Sequence, residues 1–418
     1  MRKVLLEGPI LTKSGYGEHA RLVFKALSQS GNVEIFVNPL KWGATSWAHP
    51  NKDIFKAIKK FANYNNVHAQ AKQQAPYDMH IHVGIPNEFT KKAPFSICVT
   101  AGIETDRVSS NWLIKTHQGI DKLIVPSEHA KDGFVSTNYE VINEANNTKT
   151  ILNCNCPVDV VPYPVKSPEG PGLDIDFSTD FNFLSVALMG HRKNIEMTLE
   201  GFVEQFRDNP NVGLILKTAV AKSSHMDRLI TKKKIEDHIE NLGEKKCKIY
   251  LLHGNLTEAE LHSLYVHPKV KAYVTTTHGE GYGLPLFEAA YSGLPIIATD
   301  WSGHLDFLSG PKNGKNKKLF ARVDYDLKPV QKEALWKDLI MEDSRWAFPK
   351  MLSYKAQLEK VYKNLGMYKK WSKVLKEKLE KDFSEEVVLA KMSEALTLKQ
   401  EEETNNEIDD MFASLAGG

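Results

Sequence analysis

Residues 278–300 read HGEGYGLPLFEAAYSGLPIIATD, with two carboxylates eight positions apart: Glu280 among glycines and Glu288 on an apolar run. Gly279, Gly281 and Gly283 allow a tight turn, and Leu284-Pro285 opens a helix with proline in its first turn. The unpaired amides of such a turn, backed by the positive end of the helix dipole, favour a phosphate. Glu280 lies on the loop beside that position. Glu288 lies one turn into the helix between Phe287 and Ala289, where a carboxylate costs stability unless it is paired or binds something. An ionised carboxylate accepts two hydrogen bonds at once, which suits ribose hydroxyls.

A second glycine turn follows the first strand, in GPILTKSGYGEHARLVFKAL. Its Gly15, Gly17 and Ala20 fit the G-x-G-x-x-A form of a dinucleotide fingerprint. That reading needs an acid at the end of the second strand to hold a ribose, and the strand ends in Asn38. What survives is a loop whose backbone can approach a ligand and which feeds an anion-favouring helix start; a plain strand-to-helix turn is the other reading. His19 in this turn is a candidate acid or base, although a lone histidine more often serves structure. In TAGIETDRVSSNW, residues 100–112, Glu104 or Asp106 could bind or deprotonate a ligand hydroxyl, or cap the following helix. Trp42 and Trp47 offer stacking platforms or simple packing.

The elements that must position these residues alternate between short β-branched runs and helical patterns, as in a parallel sheet with crossover helices. A first series runs VLLE, VEIFV, DMHIHV, FSICVT, KLIVP and VDVVPY; a second runs FNFLSVAL, VGLILK, CKIYLL, KAYVTT and LPIIAT. Between them KSPEGPGLDIDFSTD, rich in Pro, Gly, Ser and Asp, reads as a linker. The expected division is 1–165 for a first Rossmann-like domain, 166–180 for the linker, 181–345 for a second Rossmann-like domain, 346–400 for C-terminal helices and 401–418 for a flexible tail. Ser384, followed by Glu385 and Glu386, is a helix start.

At these residues the chain resembles the retaining glycosyltransferases of the GT-B fold, the large family-4 group, through their E-x7-E signature in EGYGLPLFEAAYSGLPIIATD. SGYGEHA resembles the family's N-terminal glycine loop, LIVPSEHAKDGF its first-domain strand-to-helix unit, and VVPYPV the strand before the linker. The general style of the chain is similar to enzymes of tailed bacteriophages. The resemblance implies an α/β fold of two Rossmann-like, doubly wound domains facing a cleft, with C-terminal helices crossing back to the first domain. It implies that Glu280 contacts the donor sugar near the reacting carbon and Glu288 holds the nucleotide ribose. Donor binding would further involve Gly15, Tyr16 and Gly17, the turn Gly281-Tyr282-Gly283-Leu284, and Lys193 at the family's lysine position. Leu188 stands where an arginine is common, so Arg192 would substitute for it, and Lys217 is a third cation for the diphosphate or sugar. A cationic pair at a helix start opposes the dipole, which favours a ligand there.

The resemblance also implies metal-independent chemistry, with no cofactor beyond a nucleotide-sugar donor, a UDP-sugar first among the candidates. No DxD-like pair stands at a strand end. The acceptor stays open between hydroxylated or hydroxymethylated cytosine in double-stranded phage DNA and a surface polysaccharide or lipid-linked glycan; a sugar-nucleotide epimerase and a non-catalytic binding protein are the readings from other classes. Residues 1–165 hold 18 Lys plus Arg against 14 Asp plus Glu, a charge of +4 within a whole-chain charge of +2. That modest excess suits a polyanion, as it suits solubility. Four cysteines make no disulfide framework in 418 residues, Glu7 and Pro9 interrupt the N-terminal apolar run, and no stretch approaches a membrane span. A cytoplasmic protein, in the host cell if phage-encoded, is the expectation.

Overall fold

A computed structural model describes residues 1–397 apart from 44, 49–50, 144–147, 222 and 313; the tail expected at 401–418 lies outside the described residues. The first series of apolar runs forms β1 (Arg2–Gly8), β2 (Val33–Pro39), β3 (Met79–Val83), β4 (Phe95–Val99), β5 (Lys122–Val125) and β6 (Val158–Val160). They make one sheet, in the order β2-β1-β3-β4-β5-β6, with every pairing parallel. The second series forms β7 (Phe181–Leu188), β8 (Val212–Ala219), β9 (Lys248–Leu252), β10 (Val270–Val274), β11 (Ile296–Thr299) and β12 (Ala321–Val323). Its order is β9-β8-β7-β10-β11-β12, again all parallel. Strands such as β8 and β11 are apolar along most of their length because helices cover both faces of such a sheet.

Hydroxyl side chains cap several crossover helices. Ser14 Oγ accepts from the Gly17 amide at the head of α1 (Gly15–Ser30), 3.0 Å away. Lys52–Gln70, Ser110–His117 and Glu128–Val135 are α2, α3 and α4. In the second half the helices are α5 (Ile195–Phe206), α6 (His225–Asn241), α7 (Glu258–Tyr265) and α8 (Leu284–Tyr291). Thr257 and Glu260 form a reciprocal capping box at α7. Residues 166–180 contain no strand or helix, yet Phe177 is buried in the second core.

The chain ends in α9 (Met351–Lys363), α10 (Leu365–Asp382) and α11 (Glu385–Ala395). Tyr354 of α9 donates to the Thr198 carbonyl of α5, while Leu375 and Leu379 of α10 join the core around α8. Val388, Leu389 and Met392 of α11 enter the first core beside α1. The last helix therefore returns to the first domain.

One expectation needs correction. Helical structure does not begin at Trp346: Arg345–Pro349 is a strand paired antiparallel with Tyr325–Pro329. Aromatic residues fit a pleated, buried position, Trp346 and Ala347 are fully buried, and α9 waits until Pro349 is past. The short β12 and the hairpins 139–152 and 309–318 were also not apparent from the sequence. Among the described residues no helix is long and apolar enough to cross a membrane.

Candidate active site

In the second sheet the strand order reverses between β7 and β10, and the turns after these two strands meet there. After β7 the chain makes a 3-10 turn, His191–Lys193, closed by Asn194 in the left-handed region (φ 51°). That turn presents Arg192 and Lys193 to the loop after β10. Lys193 Nζ lies 2.5 Å from Glu280 Oε1, and Arg192 Nη1 lies 2.9 Å from Glu280 Oε2. Arg192 also donates to the Gly279 carbonyl at 2.8 Å and reaches Glu104 Oε1 of the first domain at 3.1 Å. Two cations and two carboxylates thus meet across the domain boundary, and their formal charges cancel.

Burial alone would raise the Glu280 carboxyl, but Lys193 and Arg192 outweigh it and hold the group at about 2. Lys193 is lowered too, by burial and by repulsion from Arg192, despite its bond to Glu280. The two shifts share a direction because the lysine loses more to burial, and then to the cation at its side, than it gains from Glu280, whereas the glutamate faces two favourable partners. Glu280 is the anionic centre of the cluster. Its own amide donates to Ser302 Oγ at 2.8 Å, a support with no sequence signal beyond a serine in a loop.

The three glycines do different work. Only Gly283, at the head of α8, takes a positive φ (92°). At Gly279 a Cβ would stand 2.2 Å from the Glu104 carbonyl oxygen, and at Gly281 2.3 Å from that of Ala101. Those two glycines are required by the approach of the first domain's backbone rather than by the turn. Tyr282 is buried with its ring 5.1 Å from Tyr163, and Leu284 touches the Cβ position of Gly15 at 3.7 Å, which brings the two glycine turns together.

Glu288 is separate from this cluster. Tyr265 Oη of α7 donates to it at 2.9 Å, and the carboxylate opens onto a cavity of about 240 Å³ between α1, the segment around Pro164 and α8. Burial raises its carboxyl to about 7, against the lowering effect of Tyr265. At the cavity wall Lys166 bridges Glu18 (2.7 Å) and Glu258 (2.8 Å), joining linker and both domains. Tyr265 and Lys166 escaped the sequence reading, since one sits on an ordinary amphipathic helix and the other is a single lysine in a polar segment.

The remaining candidates have varied settings. Tyr16 bonds Thr100 Oγ1 through its hydroxyl (2.9 Å) and packs at a tilt against Trp42 (ring centroids 4.2 Å), so Trp42 supports the first glycine turn. Trp47 is largely exposed. At Gly17 a Cβ would lie 2.2 Å from the Thr12 carbonyl oxygen, so the turn is packed against its own strand exit. His19 is fully buried and held neutral by burial, at about 3, with its ring 4.9 Å from Tyr163. Asp106 is engaged by Arg345, accepting from its backbone amide (2.7 Å) and from Nε (2.8 Å), and acts as a clamp between domains. Lys217 donates to the Gly254 carbonyl at 2.7 Å and lines a different cavity of about 560 Å³ beside α6 and β9. Of the expected set, Glu280, Arg192, Lys193 and Glu104 converge.

Comparison with known proteins bears on the family and the fold. Residues 176–321 match the family model described as Glycosyl transferases group 1. The UDP-N-acetylglucosamine--peptide N-acetylglucosaminyltransferase GtfA subunit of Streptococcus pneumoniae is 23% identical over 200 residues, 48% of this chain and 36% of that protein. This chain therefore matches little more than a third of that relative's length. Sucrose-phosphate synthase of Thermosynechococcus elongatus superposes with a TM-score of 0.59 at 13% identity, covering 99% of this chain and 100% of the other. Anabaena Alr3699/HepE in complex with UDP and glucose gives a TM-score of 0.54 at 13% identity, covering 95% and 100%. The fold is GT-B, two Rossmann-like domains of parallel sheet flanked by helices.

Proposed function

We propose that this protein is a retaining glycosyltransferase of the family-4, phage-like type, moving a sugar from a nucleotide diphosphate sugar to an acceptor hydroxyl. The observation that carries the reading is the cluster at the strand-order reversal of the second sheet. There Arg192 and Lys193, neutralised by Glu280 and Glu104, sit beside the head of α8. A donor diphosphate entering this position exchanges partners with Glu280: its oxygens take Lys193 and Arg192 together with the amides of Gly283 and Leu284. Glu280 is then released toward the sugar, where it orients the ring. Glu288 accepts the ribose hydroxyls, and the donor is gripped at both ends. UDP is the preferred nucleotide, supported by the pneumococcal relative's name and by the UDP in the Anabaena structure.

In the transfer, the acceptor oxygen attacks the anomeric carbon on the face the phosphate leaves. The carbon–phosphate oxygen bond breaks as the new glycosidic bond forms, and the acceptor proton passes to the departing phosphate oxygen. Arg192, Lys193 and the helix amides stabilise the charge that builds on the leaving group. Glu104, from the first domain, faces the acceptor side. Asp106 is left out of this scheme because Arg345 occupies it, and His19 because it is sealed from the cleft.

For the acceptor, modified cytosine in DNA and a glycan or peptide hydroxyl are distinguished by the first domain's charge. On α2, Lys56 pairs with Asp53 and Lys60 with Glu34, so part of the first domain's basic excess is neutralised. This favours a saccharide or peptide hydroxyl, with hydroxymethylated DNA as the second reading. The four cysteines, all free, fit a cytoplasmic setting. The test is mass spectrometry of the protein with UDP-, GDP- and ADP-sugars against oligosaccharides, a serine-rich peptide, and plain and hydroxymethylated DNA. Transfer from one donor is expected, with the configuration at the anomeric carbon kept. Absence of both transfer and donor hydrolysis would sink the enzyme reading, and transfer to hydroxymethylated DNA alone would reverse the acceptor preference.

A further inference from the structure

The strand order of the first sheet also reverses, between β1 and β3, and a second polar cluster sits at that point. Glu7, near the end of β1, is registered directly across from His82 of β3, and His80 lies two residues back on the same face. All three side chains are buried, with exposures of 4%, 0% and 3%. One ligand atom from each lies within 4.8 Å of the others. Glu7 Oε2 is 2.9 Å from His80 Nε2, whereas its other oxygen is held by Lys92 Nζ (2.7 Å) and Asn38 Nδ2 (2.5 Å).

His82 is the residue that a simple salt-bridge network does not explain. Its ring bonds the backbone of Ile85, while Nε2 is buried without any partner. With the ring held at the Ile85 backbone, Nε2 is left with a lone pair to offer, as in a metal-binding histidine, and Nδ1 of His80 is likewise buried without a partner. Room for the His82 ring is provided by Gly84, where a Cβ would stand 2.7 Å from its Nε2. Phe89 stacks on His80 at 5.5 Å and meets His82 edge-on at 6.0 Å, walling the site with apolar surface.

We propose that Glu7, His80 and His82 form a binding site for a single divalent transition ion of the zinc class, separate from the donor site. Two imidazole nitrogens and one carboxylate oxygen suit that class, and three protein ligands leave a further position open. Glu7 Oε2 ligates the ion, and Asn38 on Oε1 orients the carboxylate as an outer support, while Lys92 on the same oxygen is the cation that the ion displaces. Lys92 stands at the solvent edge with 37% of its side chain exposed, so its ammonium can withdraw when a second cation arrives. The ion ties β1, β3 and the loop after β3 together at the cleft edge of the first domain.

The test uses the full-length, tag-free chain, stripped with chelator and titrated with Co²⁺ and then Zn²⁺. About one equivalent of Co²⁺ should give visible d–d bands that Zn²⁺ abolishes. His82→Asn should lose the bands while keeping the wild-type circular dichroism. Lys92→Gln, a substitution at the solvent edge, should bind Co²⁺ several-fold more tightly because it removes a competing cation. If the wild type shows no bands, the cluster holds only hydrogen bonds or water and the proposal falls. It falls equally if the bands persist in folded His82→Asn, or if Lys92→Gln leaves the affinity unchanged or weaker; the lysine variant decides the matter should the histidine variant fail to fold.

Discussion

At the scale of single residues, the two glutamates of one signature have opposite electrostatics. Glu280 is held at about 2, since burial is outweighed by Lys193 and Arg192, and Glu288 is raised to about 7 by burial. For Glu280 the folded value lies below the unfolded one, so its contribution to stability is present above pH 4.5 and is lost as pH falls toward 2. For Glu288 the folded value lies above, so stability declines as pH rises from 4.5 through about 7 while the carboxylate becomes ready for ribose. UDP affinity should therefore rise between pH 6 and 8, and calorimetry on Glu288→Gln should show a flat profile. Glu288→Ala should weaken UDP by roughly 10- to 100-fold, the value of a lost charge-assisted pair of bonds. Glu280→Gln should behave differently: it frees Arg192 and Lys193 for the diphosphate, so UDP should bind as well or better, while turnover drops by about 100-fold. Equal losses of binding in both variants, read by the same calorimetry, would contradict the division of roles. Both carboxylates and both cations could be named from the sequence; their pairing could not, because Arg192 and Glu280 are 88 residues apart.

At the scale of elements, the glycines of the loop after β10 show why composition underdetermines cause. The sequence assigns Gly279 and Gly281 to a tight turn, but their φ angles are not left-handed, and the constraint comes from first-domain carbonyls little more than 2 Å from where a Cβ would stand. Gly281→Ala should push the domains apart, costing about 1–3 kcal/mol in thermal denaturation and lowering turnover with it. An unchanged melting temperature would show that the interface yields freely. The return of α11 to the first domain was expected, and its apolar residues carry the contact. Met392→Ala, which opens a cavity where the side chain is fully buried, should destabilise by about 2–5 kcal/mol. The strand at Arg345–Pro349 was missed because its partner, Tyr325–Pro329, is itself polar and short, and neither strand shows a period that stands out alone.

At the scale of the whole molecule, the side chains that join the two halves include Arg192 on Glu104, Arg345 on Asp106, Arg107 on Asp343, and Lys166 between Glu18 and Glu258. Lys166→Ala removes the tie among linker and both domains. It should leave turnover at saturating donor nearly intact while raising the KM for donor several-fold, because the wall of the cavity beside Glu288 loses its brace; an unchanged KM would assign Lys166 to the surface. The sequence by itself determined the alternation of strands and helices, the two-sheet plan and the pairing of two carboxylates in one glycine-rich loop and helix start, since these follow from local periodicity and from glycine, proline and charge placed within one loop. Only the tertiary structure decided that Asp106 belongs to Arg345, that Lys217 points to another cavity, and that His80 and His82 meet Glu7. Each of those is a contact between residues far apart in the chain, and such partners are set by how sheets and domains pack, which no local pattern records.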